Sequence, residues 1–200
     1  SIYNIYQKMR KTTLYVVISL LLTISASQNM YTLQLHPTDR GARCLDGSPA
    51  GLYYHEGTGS NKNKFLIYMD SGDFAMDSLF SKLYSLAIIE AKQSGSTARA
   101  PPQKNLDGLG LLSTDPARNP VFHDWTKIFV IYCDGSEYTG NRTSPISYKD
   151  AQLYFRGYSN VLEQFRFLDQ KFDFYNGDTI VLTGVSAGGM GTYFYSNYLV

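Results

Sequence analysis

Apolar and polar positions alternate along this chain in blocks, short apolar runs being separated by turn-rich stretches. Phe65-Leu66-Ile67-Tyr68-Met69, Ile128-Phe129-Val130-Ile131-Tyr132 and Ile180-Val181-Leu182 are unbroken apolar runs. Such runs suit strands covered on both faces of a parallel or mixed sheet. Leu52-Tyr53-Tyr54, after the turn signal Asp46-Gly47-Ser48-Pro49, reads as a further short strand, and Gly57 to Asn63 as a polar, hairpin-like turn. Leu79, Leu83, Leu86, Ala87 and Glu90 recur at helical spacing and predict a helix from about Asp77 to Gln93. Val161, Leu162, Phe165 and Leu168 predict an amphipathic helix over Tyr158 to Lys171, and an aromatic-rich helix begins near Thr192. Ser94 to Asp107, with Pro101-Pro102, and Gly140 to Pro145 read as loops. Strands alternating with helices predict an α/β fold, a mostly parallel central sheet with helices on both faces.

The first 27 residues read differently. Met9-Arg10-Lys11, the apolar run Leu14 to Leu22 and the small residues Ser25-Ala26-Ser27 have the order of a secretory signal peptide. The run is shorter than the roughly 20 residues of a bilayer span, so no stable membrane anchor is expected after cleavage. Residues 1–8 precede the initiator expected at Met9 and are left out of the fold. Residues 9–27 are the expected signal, and residues 28–200 the folded portion. The expected location is extracellular or the lumen of the secretory pathway. Cys44 and Cys133 are the only cysteines, enough for one bridge in an oxidising compartment, although spacing alone allows two buried thiols as well. Asn141-Arg142-Thr143 is a glycosylation sequon in a polar stretch, so Asn141 is a candidate acceptor.

Composition narrows the function classes. With 44% hydrophobic and 14% aromatic residues the chain is neither a disordered tail nor a coiled coil. Its net charge of +1, with no basic run interleaved with aromatics, gives no reason to expect nucleic acid as a partner. Three scattered histidines and two cysteines make no zinc pattern.

The chemistry is concentrated in Gly184-Val185-Ser186-Ala187-Gly188, a G-x-S-x-G between an apolar strand and a helix. This is the setting of a nucleophile elbow. A sharp strand-to-helix turn crowds the backbone, and Gly184 and Gly188 leave room on either side of Ser186. The turn lifts the serine hydroxyl to the edge of the sheet. It also leaves the N–H of Ala187 at a helix N-terminus, where partial positive charge favours an oxyanion. A phosphate-binding turn fits less well, because neither G-K-[ST] nor G-x-G-x-x-G follows the strand. A second oxyanion donor usually comes from the loop after an earlier strand. Asp70-Ser71-Gly72-Asp73 follows Met69, so the N–H groups of Gly72 and Asp73 are the candidates.

In these segments the chain resembles the pectinacetylesterase and Notum family of serine carboxylesterases. Cys44-Leu45-Asp46-Gly47-Ser48-Pro49-Ala50-Gly51-Leu52-Tyr53 is similar to the family's opening C-x-D-G-S-P block. Leu111-Leu112-Ser113, Asn119-Pro120, Trp125 and Tyr132-Cys133-Asp134-Gly135-Ser136 follow its central block, Phe155-Arg156-Gly157 its F-R-G segment, and Gly184 to Gly189 its elbow. The resemblance implies an α/β-hydrolase fold and ester hydrolysis by a Ser-Asp-His triad, with no metal or organic cofactor. It implies Ser186 as nucleophile, Gly72, Asp73 and Ala187 as oxyanion donors, and a Cys44–Cys133 bridge. It also implies an acetylated polysaccharide or an acylated protein as substrate.

Two departures qualify this. The family usually has E-G-G-G-W-C after the strand, whereas this chain has Asp70-Ser71-Gly72-Asp73-Phe74-Ala75. The Asp73 carboxylate opposes a developing oxyanion unless it points away, although backbone donation survives any side chain. It motivates an alternative reading, a secreted non-catalytic binding protein on the same fold. Second, triad order is Ser, then Asp, then His, and neither residue type follows Ser186 in this chain. His36, His55 and His123 all precede the serine and read as surface or satisfied structural histidines. The expectation is the N-terminal portion of a longer esterase, weakly active at most by itself and poorly soluble. The edge strand Ile180 to Leu182, and Tyr193, Phe194, Tyr195 and Tyr198, would then lack packing partners.

Overall fold

The structure, a computed structural model, describes residues 29–74, 89 and 94–199. The expected signal segment 9–27, the upstream residues 1–8 and, apart from residue 89, the helix read over 77–93 lie outside the described residues.

Six strands build one sheet: β1 (Met30–Leu35), β2 (Gly51–His55), β3 (Lys64–Met69), β4 (Gln103–Asn105), β5 (Thr126–Val130) and β8 (Thr179–Gly184). Their spatial order is β4-β1-β2-β5-β3-β8. β6 (Ile146–Tyr148) and β7 (Ala151–Leu153) form a separate antiparallel pair. The α/β character expected from the sequence is present, in a mixed sheet. β5, β3 and β8 run parallel, with Ile67 level with both Ile128 and Leu182. β4, β1 and β2 pair antiparallel and join this block through β2 and β5. Helix α1 (Gly157–Phe172) connects β5 to β8 by way of the β6–β7 pair, and α2 (Ala187–Tyr195) follows β8 directly.

The period-2 alternation of strand side chains divides the core in two. Leu52, Ile67, Met69, Ile128 and Val130 face one side, where Val161, Phe165 and Leu168 of α1 and Ala187 and Tyr195 of α2 cover them. Tyr53, Leu66 and Phe129 face the other, against Tyr31, Leu106, Leu112 and Trp125. Both faces of β3 and β5 are therefore dry, which is why these strands read as continuous apolar runs. Each such side chain contributes about 1.5–3 kcal/mol of burial.

One charged residue interrupts this pattern. Lys127 on β5 is fully buried, and its ammonium donates to the carbonyls of Phe122 (3.2 Å), His123 (2.6 Å) and Trp125 (3.1 Å). These bonds tie the irregular segment before β5 to the strand. Burial lowers Lys127 to about 8, so the ammonium form still dominates at neutral pH.

Cys44 and Cys133 are joined in a disulfide that links the chain before β2 to the segment after β5. The Leu45 N–H also donates to the Cys133 carbonyl, at 2.6 Å.

Several details differ from the sequence reading. Gly57 to Asn63 does not close a hairpin, because β5 lies between β2 and β3. The loop read over Ser94 to Asp107 carries the edge strand β4, and its residues Gln103–Asn105 are all exposed. β8 is the sheet edge among the described residues and is half-buried along most of its length. Tyr193, Phe194 and Tyr198 are exposed, but Tyr195 is not: it is buried against Phe165 and donates its hydroxyl to the Tyr138 carbonyl. Tyr198 also has a partner, the Tyr158 hydroxyl at 3.1 Å.

Candidate active site

The parallel block brings the C-terminal ends of β3 and β8 to one level, since Met69 pairs with Gly184. Chain leaving these two strands must therefore meet on the same edge of the sheet. From β8 comes the turn Gly184-Val185-Ser186 into α2. Ser186 is exposed and holds φ 55°, ψ −120°, a region that L-residues rarely occupy. Such geometry costs on the order of 1–3 kcal/mol and persists only where the surroundings impose it.

Those surroundings are backbone. A Cβ at Gly188 would lie 2.0 Å from the Met69 carbonyl oxygen and 2.8 Å from that of Asp70. One at Gly184 would lie 2.4 Å from the Gly188 carbonyl carbon and oxygen. The two glycines let the turn fold onto itself and onto the end of β3. Within the turn the Gly188 N–H donates to the Val185 carbonyl, and the Met190 N–H to that of Ser186. Ala187 is buried at the first position of α2, and among the described residues its N–H has no acceptor.

From β3 comes Asp70-Ser71-Gly72-Asp73. The Ser71 N–H donates to the Asp70 carboxylate at 2.8 Å. Burial pushes the Asp70 carboxyl above its usual range, against the pull of that bond and of Lys104. Gly72 packs closely against the Tyr132 ring: a Cβ there would be 1.8 Å from the ring carbon Cδ1. The Tyr132 hydroxyl donates to the Asp73 carbonyl and the Tyr138 hydroxyl to that of Asp70, each at 2.8 Å. The N–H groups of Gly72 and Asp73 have no acceptor among the described residues. Asp73 itself is exposed. The Ser186 turn and the Asp70-to-Asp73 segment thus leave the same ends of two neighbouring parallel strands, β8 and β3.

The histidines stand elsewhere. His36 is buried edge-on to Phe167, and its Nε2 has no partner among the described residues. His123 Nδ1 is likewise unpartnered. His55 packs on Tyr31, with Nδ1 3.4 Å from the Met30 carbonyl. Among the described residues no side chain is hydrogen-bonded to Ser186. Asn141 is exposed.

Sequence reasoning gave no role to Tyr132, Tyr138 or Asp134. The available signal was their cluster directly after an apolar strand, where chain ends gather at a sheet edge. Asp134 is buried and accepts hydrogen bonds from the Ser136 N–H and hydroxyl; burial raises it to about 6.

A parallel block whose strand β8 runs through a glycine-flanked serine turn into a helix has the layout of the α/β-hydrolase fold. The comparisons give the family: the pectinacetylesterase profile matches residues 24–200, and the chain belongs to that family. It is 29% identical to pectin acetylesterase 4 of Arabidopsis thaliana over 80% of this chain and 37% of that protein. It is 30% identical to the mouse palmitoleoyl-protein carboxylesterase NOTUM over 84% of this chain and 31% of that protein. The chain thus spans about a third of the length of the curated relatives it matches. Among solved structures, the Wnt deacylase Notum from Drosophila aligns with a TM-score of 0.72 at 22% identity. That alignment covers 84% of this chain and 47% of that one, and establishes the shared fold.

Proposed function

We propose that this chain carries the nucleophile and the oxyanion hole of a secreted serine carboxylesterase. Ser186 Oγ attacks the ester carbonyl carbon while a general base takes its proton. Charge collects on the carbonyl oxygen, where the N–H groups of Ala187, Gly72 and Asp73 receive it. Collapse of the tetrahedral intermediate expels the alcohol, and water then releases the acid from the acyl-serine. The base and its orienting carboxylate come from outside the described residues. The names of the relatives support two substrate classes, an acetyl ester on a pectin-type polysaccharide and an acyl group on a protein. The signal-like segment 9–27 and the disulfide support secretion. No helix among the described residues is long and apolar enough to cross a membrane.

The observation that carries this reading is the backbone of Ser186, an exposed hydroxyl held at positive φ between β8 and α2. The test is hydrolysis of p-nitrophenyl acetate by the full-length protein and its Ser186→Ala variant, with fluorophosphonate labelling of the serine. Turnover and labelling are expected to vanish together in the variant. Turnover that survives it refutes the assignment. Absence of both in the wild type favours the non-catalytic binding protein, for which the Asp73 carboxylate beside the free N–H groups is the motive.

A further inference from the structure

Among the described residues, two N–H groups of the four residues after β3 have no acceptor, and the loop has no regular hydrogen bonding of its own. A donor pair stabilises an oxyanion only if it is held in place before charge develops. The means of holding it lie on the segment after β5. Tyr138 donates to the Asp70 carbonyl, before Gly72 and Asp73; Tyr132 donates to the Asp73 carbonyl, after them. Fixing both flanking peptides leaves the two central N–H groups little freedom to rotate. The Tyr132 ring also bars the Gly72 Cα from moving toward it.

The tyrosines are themselves fixed. Their rings meet edge to face at 5.1 Å, and the Tyr132 oxygen accepts the Glu137 N–H at 3.1 Å. Glu137 and Tyr138 both have positive φ, 51° and 66°, so the turn is bent against its own preference to deliver the Tyr138 side chain. Ser136 holds that turn: its N–H and hydroxyl bond the buried Asp134 carboxylate, and its oxygen accepts the Gly140 N–H. Tyr195 of α2 donates to the Tyr138 carbonyl, which ties the helix behind Ser186 to the same network. Burial raises both phenols, so each remains a neutral donor at physiological pH.

We propose that Tyr132 and Tyr138 are positioning residues for ester hydrolysis, their hydroxyls holding the Asp70-to-Asp73 backbone in its donor geometry. This rests on the esterase reading above. The experiment compares Tyr132→Phe, Tyr138→Phe and Tyr31→Phe in the full-length protein, with Ser186→Ala as reference. Tyr31 is the control, because its buried hydroxyl also donates to a carbonyl, that of Leu112, but on the opposite face of the sheet. Loosening a donor pair costs less than deleting one, so kcat is expected to fall about 10- to 100-fold in Tyr132→Phe and Tyr138→Phe, with KM within about threefold. Affinity for a trifluoromethyl ketone, which forms a tetrahedral adduct, falls by the same factor. Tyr31→Phe lowers the thermal midpoint comparably and leaves kcat within twofold. Retention of kcat within twofold in both active-face variants overturns the proposal, as does a loss that Tyr31→Phe shares. If Ser186→Ala is dead while the tyrosine variants are fully active, the positioning role alone fails. If Ser186→Ala is active, the esterase reading falls and this proposal with it.

Discussion

Two adjacent glycines in the first turn of α2 should respond to alanine in opposite ways. At Gly188 the new Cβ would lie 2.0 Å from the Met69 carbonyl oxygen and 2.7 Å from its carbon. Real Cβ contacts do not fall below 3.0 Å, so β3 and α2 must separate by about 1 Å. The obstacle is main chain on a strand paired on both sides, so relaxation is poor and the upper part of the ~1–3 kcal/mol overpacking range applies. Alanine returns about 0.5–1 kcal/mol of helix preference, leaving a net loss of about 2 kcal/mol. At Gly189 the nearest atom to a Cβ is the Gly184 oxygen at 3.7 Å, an ordinary contact. There only the helix term survives, and Gly189→Ala should stabilise by about 0.5–1 kcal/mol. Urea unfolding of wild type and both variants measures the spread of about 3 kcal/mol. With a domain of this size, thermal midpoints about 6–12 °C apart correspond to it. Esterase activity should follow separately: Gly188→Ala shifts the serine turn and loses about 100-fold in kcat, while Gly189→Ala keeps it. Equal stability of the two variants would refute the claim that Gly188 is required by contact with β3.

Three other outcomes follow from the same coordinates. Ser186→Gly relieves the positive φ that Ser186→Ala retains, so the glycine variant should be more stable by about 1 kcal/mol in denaturant unfolding, after its own entropy cost. Equal stability would mean that the turn is unstrained. Reduction of the Cys44–Cys133 bridge, which closes a separation of 89 residues, should cost roughly 4–5 kcal/mol of unfolding free energy; a midpoint unchanged by reductant contradicts this. Burial lowers His36 to about 4, so the unfolded chain binds this proton first as pH falls through 6.5. Its contribution is complete above pH 6.5 and is lost toward pH 4. His36→Phe should therefore recover about 2.5 kcal/mol relative to wild type between pH 7 and 4.5, and parallel stability curves for the two proteins would refute the assignment.

Much of this architecture was legible in the residues because burial on both faces leaves an unmistakable trace. β3 and β5 are dry or nearly so and β8 is half-buried, and all three appear as apolar runs within two residues of their observed ends. The amphipathic stripe of α1 was equally plain. β1 and β4 were not, because one is half-exposed and the other wholly so, and their place is fixed by pairing rather than by hydrophobic pattern. The hairpin expected at Gly57 to Asn63 failed for a related reason: turn chemistry is local, whereas the insertion of β5 between β2 and β3 depends on residues more than sixty positions away. At the site, the glycine spacing around Ser186 carried the turn. The hold of Tyr132 and Tyr138 on Asp70 and Asp73 spans 59 and 68 residues, a distance over which no periodicity speaks.

The pairing of β3 with β8 also sets an order of events during synthesis. Lys64 and its partner Thr179 are 115 positions apart, whereas Leu35 of β1 and its partner Gly51 of β2 are 16 apart. On a ribosome adding about 5–20 residues per second, the antiparallel strands can pair several seconds before β8 exists. Throughout that interval β3 has a bare edge, and the loop at Gly72 has no serine turn to meet. A nascent chain therefore passes through a stage in which its antiparallel strands are paired while the edge of β3 that β8 will cover is still bare.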